Sequence, residues 1–204
     1  MKGLLLKDLY VMKKYMRSFL LIVMGFSAIS VFSENAQFFV IYGMLMTAVT
    51  GVSLISYDER FHWDVYSSTM PLSRAQAVTE KYLLNFIFVL LWLPVTLLIQ
   101  RLGRFTGGFE EPMFLISVAL SMGLISPAIL YPIIFALGSE KGRLVYYFVI
   151  IAMMMFVGGV SGLDSVDVLS ELSPAVNAVF ILLPLVLYLL SWRLAILLYS
   201  RRSL

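Results

Sequence analysis

The chain has no cysteine, a single histidine and few charges: 13% of its 204 residues are Asp, Glu, Lys or Arg, where an ordinary soluble domain carries about 25%. Without cysteine there is no disulfide framework and no thiolate metal centre. With His62 the only imidazole, a histidine-based metal cluster is excluded, and the two carboxylates beside it in "DERFH" are thin support for any other metal site. A phosphate-binding loop is missing as well. "GSEKGR" (138–143) has glycine and lysine but not the G-x-x-x-x-G-K-[ST] spacing, so this chain does not hydrolyse ATP on a P-loop of its own.

What the sequence has instead is hydrocarbon: 61% of its residues are hydrophobic, the composition of a membrane protein. Six apolar runs stand out, at 19–32, 38–55, 82–99, 113–137, 144–160 and 175–192. About 20 apolar residues cross a hydrocarbon core of roughly 30 Å. The first run is the shortest; its 14 residues would rise about 21 Å at 1.5 Å per residue. It must extend into 15–18, meet a locally thinned bilayer, or re-enter. It ends in "SVFSEN" without a small-x-small cleavage site, so it reads as a retained first helix rather than a secretory signal. None of the six runs contains Asp, Glu, Lys, Arg or His. Charges at membrane depth mark proton relays and ion-coupled transport, and their absence argues that any energy arrives from outside this chain.

Charge placement sets the orientation. With six spans and the N-terminus inside, all of the 15 Lys and Arg except Arg101 and Arg104 fall inside, while the 12 acids split evenly. The positive-inside rule supports that arrangement, with both termini cytoplasmic. The external loops, 33–37, 100–112 and 161–174, are short. The net charge of +3 is explained by phospholipid head groups and not by nucleic acid, since the basic residues sit at the ends of apolar runs. "SGLDS" (161–165) then lies across the membrane from His62, which removes the one base a serine nucleophile would have. No internal repeat is visible, so an inverted-repeat transporter has nothing to rest on.

Residues 1–17, "MKGLLLKDLYVMKKYMR", place Leu5, Leu9, Met12 and Met16 in one stripe at helical spacing, with Lys7, Lys13, Lys14 and Arg17 elsewhere. That is the pattern of an amphipathic helix in the cytoplasmic interface; a basic flank holding topology is the plainer alternative. Pro94, Pro127, Pro132 and Pro184 interrupt the runs and invite kinks. The polar residues within or beside the runs, Ser, Thr, Asn85, Gln100 and Asn177, read as cross-helix glue. "MMMFVGG" (153–159) offers two readings: ordinary helix packing, or a repackable wall for a greasy cargo with Met153, Met154 and Phe156 on its path.

The longest polar interruption on the cytoplasmic side is "SYDERFHWDVYSSTMPLSR", residues 56–74. Phe61, Trp63, Val65, Tyr66 and Met70 are interleaved with its charges, which a disordered linker lacks. Pro71 restricts the residue before it, and Ser73 with Gln76 three residues on forms a capping box. A short amphipathic helix over about 59–69 is therefore expected, followed by a new helix from Arg74 into the third span. A rigid lever with aromatic anchors suits a protein contact.

"LLLKDLYVMKK" at the start and "YDERFHWDVYSSTMPLSRAQAVTEKYL" (57–83) resemble the permease subunits of bacterial ABC exporters of the type-2 class, in particular small six-helix permeases that export phenol-soluble modulins and related amphipathic peptides. The likeness covers the whole chain in order and is most specific at Asp58-Glu59, Trp63, Tyr66, Pro71 and Lys81-Tyr82. It implies an all-α polytopic membrane protein, a single transmembrane domain over 1–204 with an N-terminal interfacial helix and a cytoplasmic coupling helix between spans two and three. It also implies a separate ATPase that binds ATP and Mg, docked on Asp58, Glu59, Arg60, Trp63, Asp64, Tyr66 and Arg74. Two permeases, identical or paralogous, would pair with two ATPases in the bacterial cytoplasmic membrane and move cargo outward through the permease dimer; that the cargo is amphipathic or hydrophobic is expected from spans that offer apolar walls without fixed charges, not from the resemblance. This chain would then have no catalytic residues. The alternative is a membrane-embedded binding subunit of an importer, for which the external loops hold few convergent polar groups; an intramembrane enzyme lacks residues for its chemistry.

Overall fold

The computed structural model describes residues 2–15, 36–69, 73–103, 112–162 and 174–201, together with Leu21, Met24, Gly25, Ala28 and Ile29. Among these the chain is helical without a strand: α1 (Lys2–Tyr15), α2 (Ala36–Arg60), α3 (Trp63–Ser68), α4 (Arg74–Gly103), α5 (Pro112–Leu137), α6 (Ser139–Gly162) and α7 (Pro174–Arg201). Four of them are long and apolar enough to cross a membrane, over Val40–Arg60, Arg74–Leu98, Ile116–Leu137 and Ala178–Arg201. Helix α6 contributes a shorter apolar stretch, Leu144–Met155. Of the six expected spans, four are matched by such long apolar helices among the described residues. Most of the run at 19–32 and most of the three expected external loops lie outside the description, and the side chains of the fifth run are described only as far as Met155.

The all-helical form follows from the solvent. A backbone in hydrocarbon must satisfy its own N–H and C=O groups, which a helix does within one segment. Helices α4, α5 and α7 continue through Pro94, through Pro127 and Pro132, and through Pro184. Each proline removes one intrahelical donor, a loss that spanning helices tolerate when neighbours and local adjustments re-satisfy the freed groups. The α5–α6 corner is one residue long. Gly138 takes φ 83° there, in the left-handed region that a side chain disfavours. Its N–H donates to the Ile134 carbonyl at 2.8 Å and its carbonyl accepts from Gly142 N–H at 2.9 Å, ending one helix and starting the next.

Helices α2 and α5 form the middle of the bundle, while α4 and α7 expose rows of leucine such as Leu90, Leu91 and Leu98 or Leu182, Leu190 and Leu197. Those rows suit lipid contact. Two interior clusters divide the bundle along its length. One gathers Val40, Ile41, Met44, Leu45, Val89, Ala119 and Met122, with Trp92 and Met153 against it. The other gathers Val52, Ile55, Val78, Leu130, Ile134, Phe135 and three buried tyrosines, Tyr82, Tyr131 and Tyr188. A third, Met12, Leu54 and Leu84, lies under α1 at the tyrosine end of the bundle. The end carrying α1, the C-terminus of α2 and the start of α4 is called the α1 end below.

The glue reading of the polar span residues divides in two. Thr47, Thr50, Ser56, Thr96 and Ser126 each donate to a carbonyl three or four residues back on their own helix. Others cross between helices. Tyr188 donates to the Tyr82 carbonyl at 2.6 Å, Ser191 to the Ala128 carbonyl at 2.6 Å, Trp192 Nε1 to Thr79 Oγ1 at 3.2 Å, and Asn85 Nδ2 to the Gly123 carbonyl at 3.4 Å. Ser121 bonds both the Ser117 carbonyl and the Phe180 carbonyl. Such cross-helix bonds contribute about 0.6 kcal/mol each on average in a membrane. Gln100 and Asn177 have side chains outside the description.

Candidate functional site

The polar stretch is described over 56–69 and 73–74, which lie at the α1 end; the expected break at Met70-Pro71 lies outside the described residues. Helix α2 carries its backbone bonds through Arg60, and the break falls at Phe61-His62, where His62 adopts φ 51° and ψ 35°. The amphipathic helix expected over 59–69 is therefore shorter, Trp63–Ser68, because residues 59 and 60 belong to α2. The start of α4 matches the capping box. Gln76 N–H donates to Ser73 Oγ at 3.2 Å and Ser73 N–H donates to Gln76 Oε1 at 3.1 Å, so two of the helix's orphan donors are satisfied reciprocally. On α3 and its entry turn, Phe61, Val65 and Tyr66 are 59%, 59% and 57% exposed. Trp63 turns the other way, half-buried, with its ring 5.5 Å from that of Tyr66 and beneath the Lys7 ammonium at 4.4 Å.

Behind this corner lies a closed ring of four charges. Lys7 Nζ is 3.0 Å from Asp8 Oδ1 and 2.7 Å from Asp58 Oδ1; Lys81 Nζ is 2.5 Å from Asp8 Oδ2 and 2.6 Å from Asp58 Oδ2. Each carboxylate thus bridges both ammoniums, and each ammonium bridges both carboxylates. The contact between the chain neighbours Lys7 and Asp8 has ion-pair distance without hydrogen-bond geometry; the other three supply the directional bonds. Asp8 is wholly buried and the Lys81 side chain is 5% exposed. Burial at that depth is costly for a lone ion, and alternation of sign around the ring offsets it. Glu80 is buried beside Lys81, with its Oε1 lacking a hydrogen-bond partner among the described residues.

The ring changes the face assigned to α1. Leu4, Asp8 and Met12, spaced by four, are the buried positions, while Leu9 from the expected apolar stripe is exposed together with Leu6 and Tyr10. The helix therefore presents one face with a charge at its centre to the bundle and a second, apolar face outward. Met16 lies outside the description.

The other expected contact residues separate into inward and outward groups. Asp58 belongs to the ring. Glu59 Oε2 accepts the Ser139 N–H at 2.6 Å, capping the N-terminus of α6, where a carboxylate meets unpaired donors and the positive end of the helix dipole. Arg60 is exposed, and Arg74 is exposed while donating to the Ser200 carbonyl at 3.0 Å. The Asp64 side chain is outside the description. Between α2 and the α5–α6 corner a cavity of about 1180 Å³ opens, lined by apolar residues such as Val52, Ile134 and Leu137 together with polar ones such as Ser53, Arg60 and Lys141. Of the expected cargo-path residues, Met153 packs on the interior cluster with its sulfur 3.3 Å from Ser126 Oγ, Met154 is half-buried, and the Phe156 side chain is outside the description.

Lys7, Asp8 and Lys81 were missed as site residues by sequence reasoning, as were Phe61 and Val65. One signal was present: Asp8 is the one acid in the N-terminal helix and lies one turn from both Leu4 and Met12, and an acid on a buried face requires a partner. Among the described residues no group of three or more His, Cys, Asp or Glu is placed to hold a metal ion. In comparisons with known proteins, a family model described as "ABC-2 family transporter protein" matches residues 3–200. No curated protein and no solved structure matches the chain.

Proposed function

The chain belongs to the ABC-2 family of transporter membrane proteins, and from that premise we propose that it is the permease subunit of an exporter whose partner ATPase docks on the 56–74 corner. Membership of the family makes it a membrane transport component and implies an ABC ATPase partner and dimeric assembly. The observation that carries the finer reading is the corner itself: an exposed apolar and aromatic face, Phe61, Val65 and Tyr66, mounted directly against a buried charge ring that ties three helices together. Aromatic anchors on a firm base are what a contact that transmits force needs. On this reading the α1 end is cytoplasmic, both termini lie inside, and the exposed Leu6, Leu9 and Tyr10 of α1 rest in the lipid interface.

ATP binding closes the ATPases and displaces the corner, which switches the permease pair between loading and release. The cargo is an amphipathic or hydrophobic molecule, with cytolytic or antimicrobial peptides of the phenol-soluble modulin kind as the leading class. Support comes from the cavity beside the corner, whose lining mixes apolar and polar side chains, and from spans whose runs hold no fixed charge. Met153, Met154 and Phe156 lie further along the same helix, α6, as the proposed continuation of the path. The test is co-expression with a candidate ABC ATPase. The wild-type pair is expected to co-purify and to turn over ATP faster in lipid than the ATPase alone, and Phe61→Ala with Tyr66→Ala is expected to abolish both effects. Retention of both in that variant would refute the docking assignment.

A further inference from the structure

We infer that the ring of Lys7, Asp8, Asp58 and Lys81 is the joint that makes the N-terminal helix part of the moving body, so that α1, the end of α2 and the start of α4 shift as one unit when the corner is displaced. The inference rests on the reading of 56–74 as the docking segment.

Three observations carry it. First, Asp58 on α2 and Lys81 on α4 are already a neutral pair at 2.6 Å, and α1 adds to that pair an adjacent Lys7-Asp8 couple of the reverse order, closing an alternating ring. Alternation makes register specific: sliding α1 by one residue brings like charges together in a buried site, where mispairing is severe. Second, apolar contacts flank the ring along the same face of α1, with Leu4 one turn before Asp8 and Met12 one turn after. Charges therefore set the position of a helix that grease alone would leave free to slide. Third, Lys7 reaches beyond the ring to the Trp63 face at 4.4 Å, a cation–π contact that ties α1 to the short α3 helix across the His62 turn. The backbone from α2 to α3 passes through a left-handed His62, a corner where displacement of α3 can be absorbed. The ring and the Trp63 contact bypass that corner.

Lys7, Asp8 and Lys81 are thus positioning residues: they act through the corner and the spans and touch neither nucleotide nor cargo. A chain with no native cysteine lets this be read directly. Spin labels are placed at Leu9→Cys on α1 and Leu91→Cys on α4, both exposed, and the distance between them is measured in the complete permease–ATPase complex without nucleotide and with a trapped ATP analogue. The expected wild-type result is one narrow distance, the same in both states. In Lys7→Met with Asp8→Leu, which leaves the Asp58–Lys81 pair intact, the distance is expected to broaden and to shift on trapping. Permease-stimulated ATP turnover is expected to fall about tenfold, within the range usual for coupled sites.

A second variant set separates charge from packing. The inverted ring, Lys7→Asp, Asp8→Lys, Asp58→Lys and Lys81→Asp, restores alternation and is expected to restore the narrow distance in the permease alone, which an apolar packing role would not do. Should the double variant not assemble, Lys7→Met alone is read in the same way, with a smaller broadening. An unchanged narrow distance together with unchanged ATP turnover in the double variant overturns the inference, and so does continued broadening in the inverted ring. If instead the wild-type chain binds no ATPase, the docking reading has failed, while the nucleotide-free distances in the permease alone still decide whether the ring holds α1.

Discussion

The two ends of the helix bundle are held together by different chemistry. At the α1 end, tyrosines, cross-helix hydrogen bonds and a ring of four charges, two of them buried, join α1, α2, α4, α5 and α7: Tyr82 sits 5.1 Å from both the Tyr131 and the Tyr188 rings and shares a 2.8 Å hydrogen bond with Ser191. At the far end the interior is Val40, Ile41, Met44, Leu45 and Met122 against a half-buried Trp92, without a charge in the cluster and with the Ser121–Phe180 hydrogen bond beside it. Directional bonds fix register and resist sliding, while aliphatic and methionine contacts repack at little cost. On the proposed docking of an ATPase at the corner, that difference would put the firmer packing where force enters.

The largest expected effect comes from opening the ring. Lys81→Met leaves the buried Asp8 and the partly buried Asp58 with only Lys7 between them, and loss of one partner from a buried ionic group costs about 3–5 kcal/mol. Thermal unfolding in detergent should show it as a large drop in midpoint. A drop no larger than that of an exposed lysine such as Lys13 would mean that the ring is solvated and the contrast between the two ends is overstated.

Next in size is the close approach of Gly51 to Tyr131. A Cβ added at Gly51 would overlap the Tyr131 hydroxyl and come within 2.7 Å of Cζ. Tyr131 is wholly buried, and its hydroxyl has no hydrogen-bond partner among the described residues. Gly51→Ala is therefore expected to cost about 1–3 kcal/mol as overpacking. Adding Tyr131→Phe should return much of it, since that change removes the overlapping oxygen and an unsatisfied polar atom together. The far end has its own counterpart: a Cβ at Gly43 would overlap the Trp92 ring. Trp92 is only half-buried and its Nε1 also lacks a partner among the described residues, so the indole can swing aside. Gly43→Ala is expected to cost about 1 kcal/mol or less, at the low end for overpacking. A cost equal to that of Gly51→Ala would erase the distinction between a fixed end and an adaptable one.

How much of this was legible in the sequence depended on how local each feature is. The Ser73–Gln76 capping box spans four residues and was read correctly from them. The long apolar helices were legible because hydrophobic length and the cost of bare backbone in lipid leave few alternatives. The limits of α3 were not, since where α2 stops depends on a left-handed turn at His62 that no local preference of histidine demands. The ring was least visible. It joins residues 51 and 73 positions apart; Asp58 and Lys81 sit just outside apolar runs and Lys7 and Asp8 in the N-terminal segment, so no single run displays it. Asp58 and Glu59 were noticed for an acidic pattern, yet Glu59 caps a helix and Asp58 faces inward.

The smallest effect probes the corner itself. His62 is exposed and holds φ 51°, a conformation that costs an L-residue about 1–2 kcal/mol and glycine almost nothing. Glycine also adds entropy to the unfolded chain, at about 0.4–1 kcal/mol, so His62→Gly should change stability by no more than about 0.5 kcal/mol in either direction. His62→Val places a β-branched side chain in the left-handed region and is expected to destabilise by about 1–2 kcal/mol. Comparing the two melts separates backbone from side chain. If both variants lose stability equally, the imidazole itself makes a contact that fixes the turn. If only valine does, the turn is set by the elements it joins, the ring on one side and the Ser73 cap on the other, and His62 is the residue that tolerates the geometry they impose.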